Sequence, residues 1–173
     1  MLLQVGWYLR NTCAIHQANV PSSLEKAWLR QTSAEILENH RRCERLAFPH
    51  RKRSGSVREI PAVNDLEYDQ LLSQNVVFVE LFSATANNTV IECIARNTPI
   101  VINRHAGPEY YLGPEYPLFY DDFESLHAFI TVDRVLAAHE YLAAMEKSWL
   151  DGRQFREHVR QACLSCVPEL RRT

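Results

Sequence analysis

The residues best equipped for chemistry fall in one short run, Ser83-Ala84-Thr85-Ala86-Asn87-Asn88, with Glu92 four positions further on. Hydroxyls and amides precede a helical pattern in which Ala86, Val90 and Ile94 recur up to Arg96. A helix start presents unpaired N–H groups and a partial positive charge, so this loop is suited to a phosphate or diphosphate without a metal. Ala84 and Ala86 are small enough for close approach, while Ser83, Thr85, Asn87 and Asn88 add polar contacts. Glu92 lies one turn further along the same face, where a carboxylate accepts both hydroxyls of a ribose whose phosphates sit at the helix start. The same residue types also cap helices, and Glu92 is equally readable as a surface acid.

Other candidates share that edge of the chain's pattern or stand alone. Arg104 and His105 follow an apolar strand at 98–102, which brings them to the edge where Ser83 and Glu92 point and suits them to phosphate or sugar. Glu109 is placed to meet a sugar hydroxyl; as ordinary loop residues, all three would only be solvated. Cys163-Leu164-Ser165-Cys166 has redox or zinc spacing, but it sits on a helical pattern with no second pair. Cys93 with His105 suggests a thiol nucleophile, against which packing beside Glu92 is the simpler role. The seven histidines show no ligand spacing, and Asp65-Leu66-Glu67 falls at a helix start, where acids favour the dipole. No metal site is expected.

The elements that must position these residues follow from the apolar rhythm. Residues 2–9 read as a buried opening strand. From Ser22 to Ala47 good helix formers dominate, which predicts helix, with Ser33 capping a second one. His50-Arg51-Lys52-Arg53-Ser54-Gly55-Ser56 marks a flexible basic loop over 48–60. After Pro61, short apolar runs alternate with helical patterns, the sign of βαβ units on a parallel sheet. Asn64 caps a helix through Leu66, Tyr68, Leu71 and Leu72, and a strand at 76–81 without alternation predicts cover on both faces. A strand at 98–102, a loop at 103–116, a short strand at 117–120 and two closing helices, on Val132 to Leu142 and on Phe155, Val159 and Cys163, complete the pattern. The expected fold is α/β, a Rossmann-like parallel sheet with helices on both faces, as one domain over 1–173.

Composition bounds the function. The 173 residues include 46% hydrophobic and 23% charged types, enough for a globular core rather than a disordered chain. Nineteen basic against 21 acidic residues leave a net charge of −2, with no general pull toward nucleic acid or an anionic membrane. The longest apolar run, Val76-Val77-Phe78-Val79, is too short to span a bilayer, and the opening residues lack a basic start and a cleavage site. Five cysteines, an odd number, fit reduced thiols and a cytoplasmic location.

The stretch from Tyr68 to Tyr120, centred on Ser83-Ala84-Thr85-Ala86-Asn87-Asn88-Thr89-Val90-Ile91-Glu92-Cys93-Ile94-Ala95-Arg96-Asn97-Thr98-Pro99-Ile100-Val101, resembles the carboxy-terminal donor-binding domain of GT-B glycosyltransferases. Glu92, Ala95 and Thr98-Pro99 match that family's pattern of an acid, a small residue, then Thr-Pro and a strand. Glu109-Tyr110-Tyr111-Leu112-Gly113 and Tyr116-Pro117-Leu118-Phe119-Tyr120 resemble the loop and strand after its donor pocket, and Gly6-Trp7-Tyr8-Leu9-Arg10 its opening strand and loop. The resemblance implies a nucleotide-diphosphate sugar as donor, with Glu92 on the ribose and the 83–88 loop and Arg10 on the diphosphate. It implies no metal and no separate cofactor, and an acceptor-binding domain that is missing from this chain or supplied in trans.

Two positions depart from the family. Ala84 stands where many retaining members carry a second glutamate, so the stereochemical course is not implied. Arg10 matches the first member of an Arg-then-Lys pair, and no lysine follows until Lys26. Two other readings stay open: a nucleotide-binding or interaction module without turnover, and a phosphate-handling α/β enzyme of another kind.

Overall fold

A computed structural model describes residues 1–7, 9–30, 33–47, 49, 56–83 and 87–166, the side chains of residues 40, 47 and 166 excepted. Six short strands form one all-parallel sheet: β1 (Leu2–Gln4), β2 (Lys26–Leu29), β3 (Val57–Ile60), β4 (Val76–Val79), β5 (Ile100–Asn103) and β6 (Phe119–Tyr120), in the order β3-β2-β1-β4-β5-β6. The helices are α1 (Ala14–Gln17), α2 (Ala34–Ala47), α3 (Asp65–Ser73), α4 (Asn88–Arg96), α5 (Ala106–Leu112), α6 (Leu126–Phe129), α7 (Val132–Ala144) and α8 (Gly152–Cys166). This is the α/β, Rossmann-like architecture that the alternating pattern predicts.

The order decides where a ligand crevice opens. The connections through α1 and α2 step toward the β3 edge, whereas α4 and α5 step toward the β6 edge. Right-handed crossovers therefore put these two sets of helices on opposite faces, and the direction of the chain reverses between β1 and β4. The connection through α3, from β3 to β4, runs in the same direction as that through α4, so α3 and α4 share a face. Apart from Gln4 and Asn103 at their carboxyl ends, the central strands are apolar because both faces are covered. Leu2, Leu3, Val77, Phe78, Val79, Ile100, Val101 and Ile102 are all fully buried.

Four elements differ from the sequence reading. Residues 26–29, expected in a helix, form β2: Ala27 and Trp28 are buried between β1 and β3, and that burial outweighs local helix propensity. Part of the expected 48–60 loop, Val57–Ile60, is instead the edge strand β3, whose outward Arg58 and Glu59 suit an unpaired edge. Residues 48 and 50–55 lie outside the described set. The expected loop at 103–116 contains α5, which tolerates Pro108 because proline in a first turn forfeits no intrahelical bond. Finally, α1 follows β1 where no helix is read from sequence.

Other boundaries hold with their chemistry. Asn64 closes a capping box on α3, its side chain accepting from Glu67 N at 3.0 Å while the Glu67 carboxylate accepts from Asn64 N at 3.2 Å. Ser33 Oγ accepts from Ile36 N at 3.3 Å at the start of α2. At the end of α4, Asn97 adopts the left-handed conformation with φ 59°, a common helix stop.

The chain divides into two units, Met1–Ala143 and Ala144–Thr173. The first carries the sheet and the residues nominated for the donor site, whereas Cys163 and Cys166 belong to the second. In the second, Trp149 Nε1 donates to Glu146 O at 3.2 Å, and Asp151 accepts from Arg153 N at 2.8 Å at the start of α8. Among the described residues no helix is long and apolar enough to cross a membrane.

Candidate functional site

The reversal between β1 and β4 brings two loops together at the carboxyl edge, with residues 5–7 and 9–13 described after β1 and 80–83 and 87 after β4. They are laced together. Asn11 N donates to Glu80 O at 2.8 Å, Phe82 N donates to Leu9 O at 2.9 Å, and Arg10 pairs with Leu81 in an isolated antiparallel bridge. Asn11 Nδ2 adds a bond to Glu80 Oε2 at 2.7 Å. Beneath the first loop, the fully buried Gln4 amide donates to Asn11 O at 2.8 Å and accepts from Ile15 N at 2.9 Å.

Arg10 stands at the centre of this edge and is only 8% exposed. Its Nη1 donates to Val5 O at 2.6 Å and its Nη2 to Asn87 Oδ1 at 2.9 Å, while Nε has no hydrogen-bond partner among the described residues. Burial pulls the guanidinium below the usual arginine value, and interaction with Tyr68, Glu92 and Cys93 acts in the opposite sense. Gly6, with φ +72°, makes the guanidinium's position possible, since a Cβ there would overlap Arg10 Nη1.

Asn87 is the N-cap of α4, its Oδ1 accepting from Thr89 N at 3.1 Å as well as from Arg10. Ser83 and Asn88 are exposed on either side of it; Thr85 lies outside the described residues. Glu92 is half-buried one turn along α4, where its Oε2 accepts from Tyr68 Oη of α3 at 2.7 Å. Two of the nominated residues, Arg10 and Asn87, are thus in direct contact, and Glu92 couples to Arg10 electrostatically.

The next loop joins from β5. Asn103 grips Leu81 through both amide atoms, Oδ1 accepting from Leu81 N at 2.7 Å and Nδ2 donating to Leu81 O at 3.0 Å, and His105 Nε2 lies 3.3 Å from the same carbonyl. Arg104 turns to other partners: Nη1 donates to Glu109 Oε1 at 2.6 Å, Nε to Asp121 Oδ1 at 3.3 Å, and its guanidinium covers the Phe119 ring at 4.9 Å. The hydrogen bond it donates to Glu109 holds the arginine above its usual value, with Asp121 adding to it. Arg104 and Glu109 therefore form an ion pair with each other, and among the described residues no hydrogen bond or ion pair joins that pair to Arg10, Asn87 or Glu92.

The thiol candidates separate from the site. Cys93 is fully buried, and burial followed by the Glu92 charge pushes its thiol up, away from thiolate chemistry, while His105 faces a carbonyl. Cys163 is exposed on α8, and the Cys166 side chain lies outside the described set. Among the described residues, no three His, Cys, Asp or Glu side chains gather as a metal-holding group. An open cavity of about 660 Å³ lies at the opposite edge of the sheet, lined by Ala18, Pro21, Glu25, Lys26, Val57 and Arg58. There Lys26 Nζ already donates to Ala18 O at 3.1 Å and Arg58 pairs with Glu25 at 3.3 Å.

Residues missed in the sequence include Gln4, Asn11, Tyr68 and Asn103. Gln4 and Asn103 carried a signal, a polar amide within or ending an apolar strand, which folding must satisfy with hydrogen bonds. Tyr68 carried none, because it fits the apolar face of α3 as well as any aromatic residue does.

The fold and the edge define a Rossmann-like α/β domain with buried polar residues gathered at its topological switch point. The chain matches no protein-family model, and no curated protein is similar enough to it to count as a match.

Proposed function

We propose that the chain is the donor-binding half of a glycosyltransferase and takes a nucleotide-diphosphate sugar at the carboxyl edge between β1 and β4. The observation that carries this reading is the placement of the buried Arg10 guanidinium on the N-cap residue of α4, with the Glu92 carboxylate one turn along the same helix. A diphosphate at the α4 N-terminus meets the positive end of the helix dipole and a neighbouring cation, and both stabilise the charge that develops on it as the glycosyl bond breaks. The ribose then falls beside Glu92. Arg104, His105 and Glu109 approach from the β5 loop toward phosphate or sugar. The acceptor and any catalytic base belong to a partner domain, and an odd number of cysteines, five, suits reduced thiols in a cytoplasmic setting.

A second reading, a nucleotide-binding module without turnover, draws on the engagement of Arg104 with Glu109 and Asp121, which leaves that cation satisfied by its own chain. Calorimetric titration of the wild type and Glu92→Ala with UDP, GDP and their sugars tests both. Binding that weakens in Glu92→Ala supports the donor site; no binding by the wild type overturns it. Binding of the free nucleotide with no added affinity for its sugar conjugate favours the module.

A further inference from the structure

Glu92 does not stand free on α4. Its Oε2 accepts a hydrogen bond from Tyr68 Oη at 2.7 Å, in a half-buried contact across the α3–α4 pair. One position further along α3, Asp69 accepts from Arg96 Nε at 2.6 Å, and Arg96 Nη1 also donates to Glu92 O at 3.0 Å. The two helices are therefore tied at successive residues, and the capping box of Asn64 and Glu67 fixes the turn of α3 from which Tyr68 projects. Among the described residues, Glu92 Oε1 carries no hydrogen bond. A glutamate with three rotatable bonds otherwise samples many rotamers and loses that freedom when it takes a ligand. Here one oxygen is already held, which restricts that freedom before any ligand arrives.

We propose that Tyr68 is a positioning residue that presents the Glu92 carboxylate to the vicinal hydroxyls of a ribose. This rests on the reading of Glu92 as the ribose acceptor and adds to it the group that orients the acceptor. The chemistry suits the role. Burial, and then the bond to Glu92, push the Tyr68 phenol well above its usual range, so it remains an O–H donor at any pH at which the protein works. A phenol that keeps its proton donates to one carboxylate oxygen and leaves the other to accept from a pair of ribose hydroxyls.

The test is calorimetric, with UDP and GDP and with the 2′,3′-dideoxy analogue of whichever binds, on the wild type, Tyr68→Phe, Glu92→Gln and the double variant. Tyr68→Phe is expected to weaken the ribonucleotide about three- to tenfold and to leave the dideoxy analogue unchanged. In the Glu92→Gln background, removal of the Tyr68 hydroxyl is expected to have a smaller effect, since the charge it orients is gone. Equal losses for both ligands would mean that Tyr68 only supports the fold, and an unchanged ribonucleotide affinity would deny it any role; either overturns the proposal while leaving the donor site intact. Absence of nucleotide binding by the wild type overturns the donor site and this role together.

Discussion

Arg10 and Asn87, 77 positions apart in the chain, meet through one oxygen: Asn87 Oδ1 accepts from Arg10 Nη2 at 2.9 Å and from Thr89 N at 3.1 Å. The first bond ties the β1 loop to the β4 loop, and the second starts α4. A single amide thereby closes the switch-point crevice and caps the helix that the proposed diphosphate would meet. Asn87→Ala is expected to cost about 1 kcal/mol for the cap and a further 1–3 kcal/mol or so for the buried guanidinium left short of an acceptor. Asn87→Asp keeps both acceptor roles and is expected to retain most of the stability at neutral pH. Urea unfolding of the two variants checks this, and equal destabilisation by both would show that the shared oxygen is not the cause.

Gly6 and Gly152 make a paired test of backbone against space. At Gly6 a side chain meets two obstacles, a φ of +72° and the Arg10 guanidinium, which is itself pinned to Val5 O and Asn87. Gly6→Ala is expected to destabilise by about 2–4 kcal/mol, combining left-handed strain with displacement of a buried cation. At Gly152, the first residue of α8, a Cβ meets nothing within 4 Å, so Gly152→Ala is expected to be neutral or to stabilise by up to about 1 kcal/mol. Thermal melts of both variants measure the contrast; comparable losses would remove the special status of Gly6.

The alkaline limb of stability should report the buried acids. Burial raises the Cys93 thiol above its ordinary value of 9.0 and the Tyr68 and Tyr116 phenols above 10.0, so the folded chain keeps protons there that the unfolded chain releases. Each such group stabilises the fold fully below its unfolded pKa, and that contribution drains away as the pH rises through and beyond it. Stability is therefore expected to fall from about pH 9 upward, and Cys93→Ala to flatten the first part of the fall. In the native protein, thiol labelling read by mass spectrometry should modify Cys43 and Cys163 and spare Cys13 and Cys93. Rapid native labelling of Cys93 would contradict its burial.

Much of this molecule is legible in its sequence where local chemistry and tertiary demand agree. The Asn64 cap, the apolar strand at Val76–Val79 and the end of α4 at Arg96 are each specified by a few neighbouring residues and form as expected, whereas the 83–88 run signals a cap for α4 without singling out Asn87. Lys26-Ala27-Trp28-Leu29 is misread as helix because nothing local announces that Trp28 will be buried between two other strands. The edge strand Val57–Ile60 hides behind its own charges for a similar reason: its pairing with β2 is a property of the sheet. At the site, the sequence nominates Arg10, Asn87 and Glu92 individually, but the Arg10–Asn87 bond and the Tyr68–Glu92 bond depend on strand order, which no local spacing encodes.

Arg104 offers the sharpest division between the roles assigned along the β5 loop. Its guanidinium is held by Glu109 at 2.6 Å and by Asp121 at 3.3 Å, a partly exposed arrangement whose contribution to stability is small, about 0–1 kcal/mol. Glu109→Gln should therefore leave the melting temperature nearly unchanged while releasing the arginine from its nearest countercharge. If Arg104 serves the diphosphate, the variant binds free UDP or GDP more tightly, by about two- to fivefold, and the gain shrinks as salt is raised. If Glu109 instead holds a hydroxyl of the transferred sugar, the affinity for the nucleotide sugar drops while that for the free nucleotide stays put. Titrating the wild type and Glu109→Gln with both ligands at two ionic strengths separates the cases, and identical isotherms throughout would remove both residues from the donor site.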